Sequence, residues 1–145
     1  MPNVFFYHNA QDKWMATCNL LRKAAAQGKN LVVFSRSQGP LDNLDRLLWT
    51  FDQTSFVPHC RAETPLASQT PIVLTTSPEV LSSAARVLNL DPDLPPNLDD
   101  VDALIEVVGQ DDEDRIPARA RFRAYKERGY NIQSIDLSEP RKGAC

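Results

Sequence analysis

Residues 103–137 read ALIEVVGQDDEDRIPARARFRAYKERGYNIQSIDL, and the fold class turns on this stretch. It opens on an apolar run, Ala103-Leu104-Ile105-Glu106-Val107-Val108, which suits a core strand. Carboxylates at Asp112, Glu113 and Asp114 then suit the positive end of a helix dipole. A helix is predicted from about Asp112 to Arg128, ending at Gly129, and Asn131 to Leu137 reads as a last strand.

The same alternation continues outward through the chain. Val4-Phe5-Phe6-Tyr7 is a first strand, and Asp12 to Gln27 carries Trp14, Cys18, Leu21 and Ala25 at helical spacing before Gly28. Leu31-Val32-Val33-Phe34 is a short buried-type strand. A helix around Leu41 to Phe51 follows, with Leu44, Leu47, Leu48 and Phe51 on one face. Ser55-Phe56-Val57-Pro58-His59 is a brief extended piece, because the residue before a proline is pushed out of the helical region. Pro71 to Thr75 is a third strong strand. Ser77-Pro78-Glu79 then starts a helix expected to run through Val80, Leu81, Ala84, Ala85 and Leu88. Asp91 to Asn97, with three prolines, is a loop. Strands alternating with helices predict a three-layer α/β/α, Rossmann-like fold on a mostly parallel sheet. A single domain is expected over residues 1–137, with a flexible tail at 138–145.

Composition narrows the function. The chain has 145 residues, 42% hydrophobic and 24% charged, with net charge −3, which is ordinary for one globular domain and unsuited to coating nucleic acid. No apolar run approaches the roughly 20 residues needed to span a bilayer, and Met1-Pro2-Asn3 brings no basic region before Val4-Phe5-Phe6, so a secretory signal is not expected. Cys18, Cys60 and Cys145 form no disulfide framework and no close pair for zinc, which fits a cytoplasmic setting.

Charge is unevenly spread. Ten acidic residues and no basic one lie between Asn89 and Asp114, read as a solvated loop and a helix N-terminus. Asp91-Pro92-Asp93 starts like a calcium loop but lacks the central glycine and the closing glutamate. Six basic residues against Glu127 alone follow, from Arg115 to Arg128.

Parallel α/β sheets bind ligands at the carboxyl ends of their strands, yet the sequence offers no phosphate-cradling loop. Only five glycines occur, and neither Gly-x-Gly-x-x-Gly nor Gly-Lys-Ser/Thr is present. His8 is placed just after the first strand, and His59 precedes Cys60 on an extended segment, where neighbours point to opposite faces. No catalytic residue, metal or cofactor is therefore expected. The alternative is a small Rossmann-like enzyme acting on a nucleotide or phosphate ester.

The last helix carries the main signal. At about 100° per residue, Arg115, Arg119, Arg123 and Lys126 fall within roughly 80° of one another, with Phe122 on the edge of the stripe and Ala118 and Tyr125 just beyond. Such arginines can simply be the wet face of a core helix. Like charges at i,i+4 repel, however, and an anionic partner relieves them. Guanidinium forks beside an aromatic groove suit an acidic peptide ending in a hydrophobic residue. A second candidate surface is Leu47-Leu48-Trp49 with Ser55 to His59, where a helix gives way to an irregular loop.

These stretches resemble a known family. Val4 to Tyr7, Leu44-Asp45-Arg46-Leu47-Leu48-Trp49, Ser55 to His59, and Ala118 to Lys126 with Gly129-Tyr130-Asn131 match, in order and spacing, the chi subunit of bacterial DNA polymerase III holoenzyme, a clamp-loader accessory protein. The resemblance implies a replisome protein with two partners. One is the psi subunit, at a surface including Trp49, Phe56, Val57 and Pro58; the other is the acidic, phenylalanine-ended C-terminal tail of single-stranded-DNA-binding protein, at Arg115, Arg119, Phe122, Arg123 and Lys126. The net charge of −3 and the lack of a spanning apolar run predict no tight direct binding of nucleic acid and no membrane association. The sequence departs from the family form in having Phe122 for a tyrosine, Arg123 for a lysine, Cys60 for an asparagine, and a shorter acidic loop before Arg115.

Overall fold

A computed structural model describes residues 2–50, 58–61, 71–81, 85–96, 98 and 101–137. Within them, seven strands form one sheet: β1 (Asn3–Ala10), β2 (Leu31–Phe34), β3 (His59–Arg61), β4 (Ile72–Thr75), β5 (Arg86–Asn89), β6 (Ala103–Gly109) and β7 (Asn131–Asp136). The helices are α1 (Lys13–Ala26), α2 (Gln38–Thr50), α3 (Pro78–Leu81) and α4 (Asp112–Glu127). The strand order is β3-β4-β2-β5-β6-β1-β7, and every pairing is parallel, the last strand included.

Helices cover both faces. Cys18 and Leu21 of α1 and Leu41, Leu44 and Leu48 of α2 pack with Leu31, Val33, Ile72, Leu74, Leu88 and Val107. On the opposite face, Ala118 and Tyr125 of α4 pack with Val4, Phe6, Val87, Leu104 and Val108. Period-two alternation divides β2, β5 and β6 between the two cores, as β5 shows with Val87 facing one and Leu88 the other. Both helical termini use the expected chemistry. The Asp12 carboxylate accepts from the backbone N–H of Trp14 and Met15 to start α1. Gly28, just after α1, sits at φ 72°, a left-handed conformation that glycine adopts without a Cβ clash.

Several expectations are corrected. The helix from Ser77 does not run through Leu88: α3 is described over Pro78–Leu81, Ala84 lies outside the described residues, and Arg86–Asn89 is a strand between β2 and β6. The apolar residues at 81, 85 and 88 imitate helical spacing, and a four-residue strand is too short to show its own period. Pairing on both edges, to β2 and β6, decides the conformation instead. His8 lies within β1, which runs on to Ala10 with a register shift between Tyr7 and Ala10, and does not follow the strand. The second helix begins at Gln38, ahead of the expected Leu41. Residues 55–57 and the 138–145 tail lie outside the described residues, while β3 begins at His59. Among the described residues no helix is long and apolar enough to cross a membrane.

The acidic stretch is more than a solvated loop. Asp91 is buried, and its carboxylate takes the Arg36 guanidinium at 2.6 Å and the Arg36 backbone N–H at 2.8 Å. Arg36 also donates to the Leu94 carbonyl. Glu106, fully buried in the middle of β6, accepts through Oε2 from Tyr125 Oη at 2.6 Å, Arg121 Nε at 3.0 Å and Asn89 Nδ2 at 3.1 Å. Arg121 then donates to the Pro92 carbonyl at 2.7 Å. This network joins β6, α4, β5 and the proline-rich loop. Burial pushes the Glu106 carboxyl above its ordinary range, opposed by Arg121 and by the hydrogen bonds from Tyr125, Asn89 and Arg121. Burial, then the neighbouring Glu106, pushes Tyr125 up, so its hydroxyl keeps its proton to donate.

Removing one member of a buried charged pair leaves the other uncompensated, at a cost of roughly 3–5 kcal/mol. Glu106→Ala is therefore expected to lower the urea midpoint sharply, whereas Arg119→Ala on the exposed side of the same helix changes stability by about 0.5 kcal/mol or less. Equal effects from the two variants would contradict the network.

Cys18 supplies a pH test. Burial, with a smaller contribution from Asp12, raises its thiol from 9.0 to about 11. The folded state thus holds this proton more tightly than the unfolded chain. Its contribution is complete below pH 9 and is lost as the pH rises from about 9 towards 11. Cys18→Ala is expected to lose less stability over that interval than the wild-type chain. Alkylation followed by mass spectrometry should show Cys18 protected at pH 8 until urea unfolds the protein; ready alkylation of the folded form would contradict its burial.

Candidate functional site

Helix α4 is set on the sheet by its first turn and by its buried side. The Asp114 carboxylate accepts from the Gly109 backbone N–H through one oxygen and meets Lys13 Nζ at 2.6 Å through the other, joining the start of α4 to the end of β6 and to α1. Arg121 and Tyr125 fasten the middle of the helix to Glu106. With both points fixed, α4 leaves a cleft of about 310 Å³ against β1, β6 and β7.

The cleft has an apolar floor and a polar rim. Phe6 of β1, Val108 of β6, and Ala118 and Phe122 of α4 supply the apolar surface. The Phe6 and Phe122 rings meet edge to face at 5.3 Å, and Phe6 meets Tyr125 at 6.1 Å, which holds the floor rigid. Arg115, half-buried, and Arg119, exposed, stand on the helix side. His8, Asn9 and Ser134 form the strand side. No carboxylate is among the described residues lining this cleft, so it suits an anionic group carrying an apolar anchor.

The structure brings Arg115, Arg119 and Phe122 together. Arg123 and Lys126 are exposed on the same helix but do not line the cleft; they prolong its positive side towards the helix C-terminus. At the other candidate surface, Trp49 is 63% exposed at the end of α2, and Pro58 is exposed. The Trp49 ring meets the His59 ring edge to face at 5.5 Å, and His59 Nε2 lies 2.8 Å from Asp45 Oδ1. His59 therefore braces Trp49 from a buried position and is tied to Asp45. Phe56 and Val57 lie outside the described residues.

A second crevice lies at the carboxyl ends of β1 and β6, where parallel sheets commonly hold nucleotides. It is lined by Asp12, Asp111, Glu113 and Asp114 against Lys13, an arrangement that repels phosphate. Among the described residues no group of three His, Cys, Asp or Glu side chains is placed to hold a metal ion.

Sequence reasoning missed the strand side of the cleft. Ser134 belongs to it because β7 pairs with β1 in a register that sets Ser134 beside Phe6, a long-range fact with no local signal. Arg121 did leave a signal. On the helical wheel it falls beside Tyr125, away from the arginine stripe, as a buried-side arginine must.

Comparison with known proteins supports the family resemblance of the chain. The family model described as DNA polymerase III chi subunit, HolC, matches residues 1–133. DNA polymerase III subunit chi of Pseudomonas aeruginosa is 28% identical over 141 residues, covering 94% of this chain and 98% of the relative. The protein of the same name from Haemophilus influenzae is 25% identical over 121 residues, covering 83% and 84%. With its parallel α/β/α sheet and a family match over nearly its whole length, the chain belongs to the DNA polymerase III chi subunit family.

Proposed function

We propose that this chain is a non-catalytic adaptor of the DNA polymerase III assembly in replication, receiving the acidic C-terminal tail of single-stranded-DNA-binding protein in the α4 cleft and the psi subunit at the Trp49 surface. The observation that carries the reading is the cleft itself: two guanidinium groups above a floor of Phe6, Val108, Ala118 and Phe122. A peptide ending in phenylalanine places its ring on that floor and its carboxylates against Arg115 and Arg119. Arg123 and Lys126 lie where acidic residues further back along such a tail would run. An exposed tryptophan held by a buried histidine is a rigid anchor of the kind that protein interfaces favour. The acidic crevice at the strand ends weighs against an enzyme of nucleotides or phosphate esters.

Salt separates peptide binding from direct DNA binding. Tail-peptide affinity should fall with ionic strength as the ion pairs are screened over about 8 Å at physiological salt. It should keep a remainder of roughly 2 kcal/mol from burial of the terminal ring, which salt does not screen. Arg119→Ala should weaken the peptide about tenfold, the effect of losing one charge-assisted hydrogen bond. Arg128→Ala, past the end of α4 with its guanidinium near Tyr130 Oη, should change it less than about twofold. Fluorescence titration of an acidic phenylalanine-ended peptide and of oligothymidine, at low and high salt, measures all of this. Tighter oligothymidine binding at about 150 mM salt, or equal losses from the two variants, would refute the reading.

For the second surface, Trp49→Ala should weaken capture of the psi subunit by about 30-fold, equivalent to a hot-spot loss near 2 kcal/mol. Tail-peptide affinity should stay within about twofold, since the two surfaces share no residue. Unchanged psi capture by the folded variant would show that the surface lies elsewhere.

A further inference from the structure

The strand side of the cleft holds a histidine, His8. Val4, Phe6 and His8 alternate onto the α4 face of β1. Phe6 is part of the cleft floor, and His8 follows it one step nearer the strand end, lining the same cleft opposite Arg115 and Arg119. Asn9, the next residue, sits at φ 60°, a left-handed conformation uncommon outside glycine, and its side-chain amide donates to Asp136 at 3.4 Å. That turn of the backbone fixes where the strand leaves the cleft and hence where the imidazole stands.

We propose that His8 is the third cationic arm of the cleft and a specificity-determining residue for the terminal α-carboxylate of the bound peptide. This rests on the peptide reading of the cleft. With its ring on the Phe6–Phe122 floor, a C-terminal phenylalanine has its α-carboxylate only a few bonds from that ring. The carboxylate must lie across the cleft, between the helix arginines and the strand side. Protonated imidazole donates from both nitrogens and suits a carboxylate. The charged groups around it are Arg115 and Arg119 from α4, and Asp136, its register partner on β7. From β6 come Val108 and Gly109, which do not titrate, while Glu106 lies deeper and is held by Arg121 and Tyr125. Histidine changes charge between about pH 5 and 8, so the cleft should grip a free C-terminus more tightly in mildly acidic solution.

The test is a titration of the full chain with an acidic phenylalanine-ended peptide between pH 5.5 and 8, using the free acid and the C-terminal amide. The peptide's side-chain carboxylates ionise near pH 4 and stay charged throughout. Wild-type protein should bind the free acid roughly tenfold more tightly at pH 5.5 than at pH 8, and this dependence should be small for the amide. His8→Gln should flatten the profile at the weak level, and His8→Lys, always charged in this range, should flatten it at the tight level. A wild-type profile that is flat, or a slope that survives in His8→Gln or with the amide, would overturn the role of His8 alone. Failure of the wild-type chain to bind the peptide at any pH would overturn the peptide reading and this inference together.

Discussion

The ion pair between Arg121 and Glu106, with the Asp114 anchor at the helix start, fixes where the last helix lies, and the cleft depends on that placement. Glu106 stands in the middle of a strand, fully buried, with Arg121, Tyr125 and Asn89 all donating to one carboxylate oxygen. Apolar packing alone would let a helix slide on a sheet, because burial is not directional. The two bonds that come from α4, those of Arg121 and Tyr125, oppose sliding. They set the rotation of α4, and that rotation turns Phe122 towards Phe6 and leaves Arg115 and Arg119 on the rim. A buried charged network of this kind is weak support for stability and better understood as a device of specificity.

Two kinds of arginine thus share one helix. Arg121 is desolvated and spends its donors inside, on Glu106 and the Pro92 carbonyl, so it organises the fold. Arg119 keeps its guanidinium in water and is available to a partner. The like-charge stripe of Arg115, Arg119 and Arg123 is tolerated because the start of the helix is anchored by Asp114 and its middle by Glu106. Repulsion of a few tenths of a kcal/mol per pair is small against those anchors, and an anionic ligand would remove it.

Much of this was legible in the residues. The runs at 31–34, 71–75 and 103–108 read as strands because they are largely apolar and rich in β-branched residues, and α1 and α4 read as helices because their periods are long. Strand β5 was not legible: Arg86-Val87-Leu88-Asn89 continues a helical spacing begun at Val80, and only its two neighbours in the sheet make it extended. The helix half of the cleft could be found on a wheel, since Arg115, Arg119 and Phe122 belong to one element. Its other half could not. His8 and Ser134 are 126 residues apart in the chain, and they line one cleft through the parallel pairing of β1 and β7.

The central claim is that the ligand of this chain sits between α4 and β1. Backbone amide chemical-shift mapping with an acidic phenylalanine-ended peptide tests it most directly. The account predicts the largest shifts at Phe6, Ala118, Arg119, Phe122 and Ser134, with α2 around Trp49 undisturbed. Shifts centred on the crevice of Asp12, Asp111 and Asp114, or around Trp49, would contradict it.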